Sequence, residues 1–361
     1  MNDRARVVLS AAGVVGIFLG VQFGALALVE PFQTTHGPAV ENPQDPANSG
    51  VFFGVILVAT AIMLAAFRYD GDRFIRWLIV GVSVMLSWYV FVVLIPPAVT
   101  VNGLNVLAAL ASVGIGVGLL AYPEWYVIDA AGVVMAAGAA ALFGISFGLF
   151  PAVLFLSVLA IYDAISVYRT EHMLSLADGV LDLKIPVVFV VPTTLGYSYI
   201  DDDGGRPDAS VDDDDRPDVS SDDGGPPDAS TTDSVSSEGA KTTDLATDGT
   251  GSESGPALAE SDGLDRDALF IGLGDAVIPT ILVASSVTFL DAPQLAVPFV
   301  SLTLPALGAI AGTTAGLVIL LWMVVKGRAH AGLPLLNGGA IGGYLLGAVA
   351  TGASLWSAIG L

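Results

Sequence analysis

The run "ALFIGLGDAVIPTILVASSVTFL", residues 268–290, carries a single charged side chain, Asp275. Its length suits a helix crossing a hydrocarbon core of roughly 30 Å. An ionisable residue in such a setting is costly, and it stands as a functional hypothesis with a partner to find. Both the fold and the function turn on where that partner lies.

Composition places the run in a membrane protein. Of 361 residues, 54% are hydrophobic and 13% charged, and the mean hydropathy is +0.74. Apolar stretches of similar length recur, and spanning segments must satisfy their own backbone hydrogen bonds, so the expected fold is all-α and polytopic. The short alternating strands of a membrane β-barrel are absent from the pattern. Nine spans are predicted, at about 7–29, 51–67, 73–95, 98–121, 125–144, 146–168, 268–290, 294–325 and 332–358. Ala25-Leu26-Ala27 resembles a signal-peptide cleavage site, but the apolar stretch around it exceeds the usual length of such a leader, so it is read as the first span.

The basic residues fix an expected orientation. Nine spans with a cytoplasmic N-terminus put all 13 Lys and Arg residues on the cytoplasmic side and the C-terminus outside. Inserting or deleting one span breaks that agreement. The division expected is a six-helix bundle over 1–199, a disordered acidic cytoplasmic loop over 200–267, and a three-helix part over 268–361. Within the first, 172–192 ("HMLSLADGVLDLKIPVVFVVP") is read as a segment lying along the membrane surface.

Residues 201–267 hold 21 acidic and 4 basic residues, which is −17 of the net −22. The tract opens with a ten-residue unit written three times, "DDDGGRPDAS", "VDDDDRPDVS" and "SDDGGPPDAS". Such sequence buries too little apolar surface to offset its conformational entropy. It reads as a solvated spacer in a salt-adapted host, and nothing basic invites nucleic acid. With no cysteine, thiol nucleophiles and Fe–S clusters are excluded. His36, His172 and His330 are scattered and lack metal-site spacing, so no metal or other cofactor is expected.

The candidate partner is Asp163, in "LFLSVLAIYDAISVY" (154–168). The sixth span runs inward and the seventh outward. At 1.5 Å per residue the two carboxylates then sit about 8 and 10 Å below the inner surface, nearly level. Two carboxylates held a few ångströms apart cannot both ionise cheaply and so share a proton. That pairing suits hydrolysis, in which one group activates water while the other polarises a peptide carbonyl. Gly272 and Gly274 allow close approach beside Asp275, and Pro279 leaves one turn of its helix less firmly bonded. Asp129 and Asp291, near span boundaries, are assigned structural roles. A proton- or cation-coupled transporter would use intramembrane carboxylates too, and stands as the alternative.

Tyr162-Asp163 and "GLGD" (272–275) resemble the two catalytic motifs of presenilin and signal peptide peptidase, the GxGD-type intramembrane aspartyl proteases. The large polar loop between the motifs and the nine-span layout also fit, so the resemblance covers essentially the whole chain. It implies an aspartic endopeptidase of the cell membrane that cleaves single-span membrane proteins or signal-peptide remnants. Asp163 and Asp275 are then catalytic, with Tyr162, Gly272, Leu273 and Gly274 beside the substrate. The family's Pro-Ala-Leu motif, which packs by the aspartates, is matched by "AGLP" at Ala331, Gly332, Leu333 and Pro334. There Ala-Gly replaces Pro-Ala. The literal "PAL" at 305–307 falls inside the eighth span and is set aside. The inward-to-outward course of the seventh span sides with presenilin rather than signal peptide peptidase, and the short chain resembles a stand-alone archaeal-type homologue.

Overall fold

The structure is a computed structural model that describes residues 3–68, 72–169, 188–193, 268–326 and 331–361. The acidic tract and residues 172–187 lie outside these. The described helices are α1 (Asp3–Thr35), α2 (Ala47–Arg68), α3 (Asp72–Leu94), α4 (Val106–Ala121), α5 (Trp125–Ser146), α6 (Leu149–Arg169), α7 (Leu273–Phe289), α8 (Leu304–Val325), α9 (Gly332–Ala350) and the short α10 (Leu355–Ile359). Six of them, α1, α3, α5, α6, α8 and α9, are long and apolar enough to cross a membrane. The shorter apolar helices α2, α4 and α7 accompany them. Side chains such as Leu110, Val113 and Val117 on α4 or Ile56 and Val58 on α2 are exposed, as helices that face lipid require.

At the centre stands α5, whose middle, "VVMAAGAAALFG", is made of small residues that let neighbours approach closely. A Cβ at Gly138 would collide with Val90 of α3, and one at Gly144 with Ala284 of α7. On the other side, Gly24 of α1 packs at Ala137. Gly308 and Gly312 on α8 lie against Gly347, Gly343 and Gly339 on α9, and Gly316 lies against the Leu335–Leu336 backbone, so the two helices touch backbone against backbone every four residues. Any side chain at Gly312 would overlap the Gly339 carbonyl.

Three predicted spans begin later than expected, each because a short antiparallel hairpin or strand precedes the helix. Before α4, Thr100–Val101 (β1) pairs with Leu104–Asn105 (β2) around Asn102-Gly103. Both turn residues have positive φ, 52° and 81°, the geometry that Asn-Gly favours in tight hairpins. Asn105 then caps α4 by accepting from the Ala108 N–H at 3.3 Å. Before α8, Gln294–Leu295 (β5) pairs with Leu302–Thr303 (β6), and Thr303 caps the helix.

The third case matters most. Val188–Pro192 (β3) pairs with Ala268–Gly272 (β4), with Val188 opposite Gly272 and Pro192 opposite Ala268. The first five residues of the predicted seventh span are therefore strand, and α7 starts at Leu273. These are β-branched and aromatic residues in short apolar runs, which suit a buried pleated pair. Of the 172–192 segment, only 188–192 lies among the described residues, as β3. Phe189 is buried against α1 and α5, and Val190 against α3, α4 and α5. Lastly, the ninth predicted span breaks at Gly352, whose φ of +87° ends α9, and α10 is tied back by the Tyr344 hydroxyl donating to the Ala358 carbonyl at 2.6 Å.

Candidate active site

Three chain ends meet where β4 enters α7: the C-terminal part of α6, the first turn of α7 and the first turn of α9. Asp163, on α6, is 9% exposed, and its Oδ2 accepts the Leu333 N–H at 3.1 Å. Leu333 is the second residue of α9, and the residue before that helix, Ala331, has no side chain able to cap it. The first N–H groups of a helix have no partner within it. Asp163 supplies one from another helix, and a carboxylate there also meets the positive end of the helix dipole. Pro334 follows in the same turn, where its missing N–H costs nothing.

Asp275 is the third residue of α7, so it too lies at a helix N-terminus. It is half-buried. Its Oδ2 lies 4.0 Å from where a Cβ on Gly332 would stand, and 3.4 Å from where one on Gly272 would stand. The two carboxylates thus face adjacent residues of one segment, Gly332 and Leu333. Pro279 stands four residues after Asp275 inside α7, so the Asp275 carbonyl lacks the N–H that an unbroken helix would bring to it.

Of the residues singled out in the sequence, Asp163, Asp275, Gly272, Gly332 and Leu333 come together, with Pro334 beside them. Ala331 is buried directly before them. Gly274 is exposed, and a Cβ there would meet only Ile278 of its own helix, leaving open space beside Asp275. Leu273 turns the other way, into the apolar seat at Gly132. Tyr162 is 42% exposed and points at α2, its ring edge-on to Phe53 with centroids 5.8 Å apart. One residue along a helix is a rotation of about 100°, so neighbours in sequence need not share a face. The literal Pro305-Ala306-Leu307 forms the first turn of α8, packed at Gly347 near the opposite end of α9.

Two supports went unread in the sequence. The strand β3 lies where the sequence reads as a surface segment, and a five-residue apolar run carries little to distinguish the two. Asn337, one turn beyond Leu333, donates to the Leu156 carbonyl at 3.0 Å and so fastens α9 to the helix that bears Asp163. An amide in an apolar helix was a visible signal for it.

A family profile described as signal-peptide peptidase, presenilin aspartyl protease matches residues 15–353. Among solved structures, the chain is similar to a presenilin family intramembrane aspartate protease in a C222 space group, with 30% sequence identity and a TM-score of 0.59. That match covers 94% of this chain and 99% of that one. It is similar also to a presenilin family intramembrane aspartate protease in a P2 space group, with 31% identity, a TM-score of 0.58, and 94% and 97% of the two chains covered. No curated protein matches the chain. The profile spans nearly all of the sequence, and the transporter reading falls away with it. The chain belongs to the presenilin and signal-peptide-peptidase family and is a multi-span intramembrane aspartyl protease.

Proposed function

We propose that Asp163 and Asp275 are the catalytic pair and that they hydrolyse peptide bonds of single-span membrane proteins or signal-peptide remnants. The observation that carries this is the convergence of both carboxylates on Gly332–Leu333, between the N-termini of α7 and α9. Two acids brought to the same segment in this way share one proton when they meet across a substrate. The ionised one takes a proton from water as its oxygen attacks the peptide carbonyl carbon. The protonated one gives its proton to the carbonyl oxygen, and the tetrahedral intermediate collapses as the leaving amine is protonated. The helix ends contribute partial positive charge toward the reacting groups.

A peptide bond inside a regular helix is shielded by its own hydrogen bonds, so the substrate must be locally unwound at the pair. Ala331, Gly332, Leu333 and Pro334 form its floor, and the side-chain-free positions Gly272 and Gly274 leave room for extended chain. Nine spans, with the N-terminus cytoplasmic and the C-terminus outside, agree with the distribution of all 13 basic residues. In that arrangement the site opens toward the cytoplasmic side of the cell membrane, the acidic loop is cytoplasmic, and the membrane part divides at that loop into 1–199 and 268–361.

Purified protein in micelles with a single-span reporter substrate tests the pair. Asp163→Ala and Asp275→Ala should each abolish cleavage while the melting profile stays cooperative. Cleavage surviving in either variant rejects the assignment.

A further inference from the structure

We infer that Asp129 is a positioning residue for the reaction, holding the β3–β4 pair and through it the first turn of α7. The inference rests on the proposed Asp163–Asp275 pair. Asp129 lies on α5 and is 8% exposed. Its Oδ1 accepts the backbone N–H of Val190, in β3, at 2.8 Å.

In an antiparallel ladder, alternate residues turn their backbone groups toward the partner strand or away from it. Val190 stands opposite Phe270 of β4, yet its N–H goes to α5. It is therefore an outward-facing position, and Asp129 closes that edge of β3. The outer edge of a strand is open to slippage or to foreign pairing unless something covers it.

The same stretch of α5 seats the other side chains of the junction. Gly132, one turn beyond Asp129, has no side chain, and a Cβ there would stand 2.8 Å from the Phe189 ring and 3.3 Å from Leu273 Cδ1. From Gly272, the last paired residue, to Asp275 there are three residues and no loop. The position of β3 on α5 is thus transmitted to the Asp275 carboxylate through strand pairing and one helical turn. Pinning β3 by a side chain on the rigid central helix fixes its register. Val188–Val191 are apolar on both faces, so no apolar–polar alternation sets the register, and the Asp129 bond supplies that constraint.

A buried carboxylate with a single hydrogen bond among the described residues is a costly way merely to add stability. A positioning role demands an acceptor of this reach, and it predicts a pattern that a stabilising role does not. The experiment uses the full chain in micelles with the single-span reporter, measuring kcat, KM and melting temperature. Wild type and Asp163→Ala serve as the two references, because loss of cleavage in Asp163→Ala upholds the underlying pair whatever Asp129 does.

Asp129→Asn keeps an acceptor oxygen and should retain kcat within about threefold. Asp129→Leu and Val190→Pro remove the acceptor and the donor, and each should lower kcat by on the order of tenfold to a hundredfold with KM little changed. Combined, they should cost no more than the worse single change, because both delete one bond. Should Asp129→Leu fail to fold, Asp129→Ser replaces it, polar but too short to reach Val190. Wild-type kcat in the Leu or Ser variant overturns the inference. So does an Asn variant as slow as Leu or Ser, or multiplicative losses in the double variant.

Discussion

Asp163 has two tasks, and they can be separated. It caps α9 through the Leu333 N–H, and in the proposed mechanism it exchanges a proton with substrate or water. Asparagine caps a helix about as well as aspartate but cannot transfer the proton. Asp163→Asn should therefore be inactive yet unfold within about 0.5 kcal/mol of wild type, whereas Asp163→Ala should be inactive and weaker by roughly 0.5–2 kcal/mol. Reversible unfolding in mixed micelles measures both. The shared proton also sets the pH dependence. Raising the pH removes it and the acid is lost, while lowering the pH protonates both carboxylates and the base is lost. The rate of reporter cleavage should accordingly fall on both sides of a maximum, and a rate rising monotonically to high pH would contradict the pair. Gly332 differs from the alanine of the family's motif, yet a Cβ there would find ordinary contacts, 3.4 Å to Leu320 and 4.0 Å to Asp275. Gly332→Ala should then add roughly 0.4–1 kcal/mol by restricting the unfolded chain, with cleavage preserved. Both aspartates were legible in the sequence because a charge in an apolar run needs a reason. The Leu333–Asp163 bond was not, since its partners lie 170 residues apart and one of them is a backbone group that any residue carries.

The elements most exposed to single substitutions are α8 and α9, whose backbones touch along Gly308, Gly312, Gly316 and their counterparts. Because α9 carries Leu333 at its start, a wedge between these helices should reach the site. Gly312→Val overlaps the Gly339 carbonyl and should cost on the order of 1–3 kcal/mol, with cleavage reduced in parallel. Gly342→Ala, on α9 but with nothing within 4 Å of the new methyl, should stay within about 0.5 kcal/mol of wild type. Thermal unfolding of the two variants side by side makes the comparison. The helices themselves were readable from hydropathy, since lipid-facing helices are apolar all round. Their starts were less so. Asn102-Gly103 is a hairpin signal that length-based reading of an apolar run passes over, and β4 was hidden because a buried strand and the first turns of a buried helix have the same composition.

At the scale of the molecule, the described residues all fall in one unit, Met1–Gly204 with Pro256–Leu361. In the proposed orientation the β1–β2 and β5–β6 hairpins lie outside and the β3–β4 pair inside. The chain has no cysteine, so single cysteines can be introduced without background labelling. One at Asn102 should react with an impermeant thiol reagent added to intact cells, and one at Ser220 should react only after lysis. The reverse pattern would overturn the topology. Lys326 agrees with the expected inner surface at the end of α8, where its ammonium lies 3.7 Å over the Trp322 ring, an arrangement favoured at the edge of a bilayer. The antiparallel register has one more consequence. Pro192 stands directly opposite Ala268, so the two ends that the stretch 193–267 joins are only one strand spacing apart. Closing a loop costs entropy only as the logarithm of its length, so replacing residues 200–262 with a short Gly-Ser bridge should leave turnover of the reporter within about twofold of the parent enzyme.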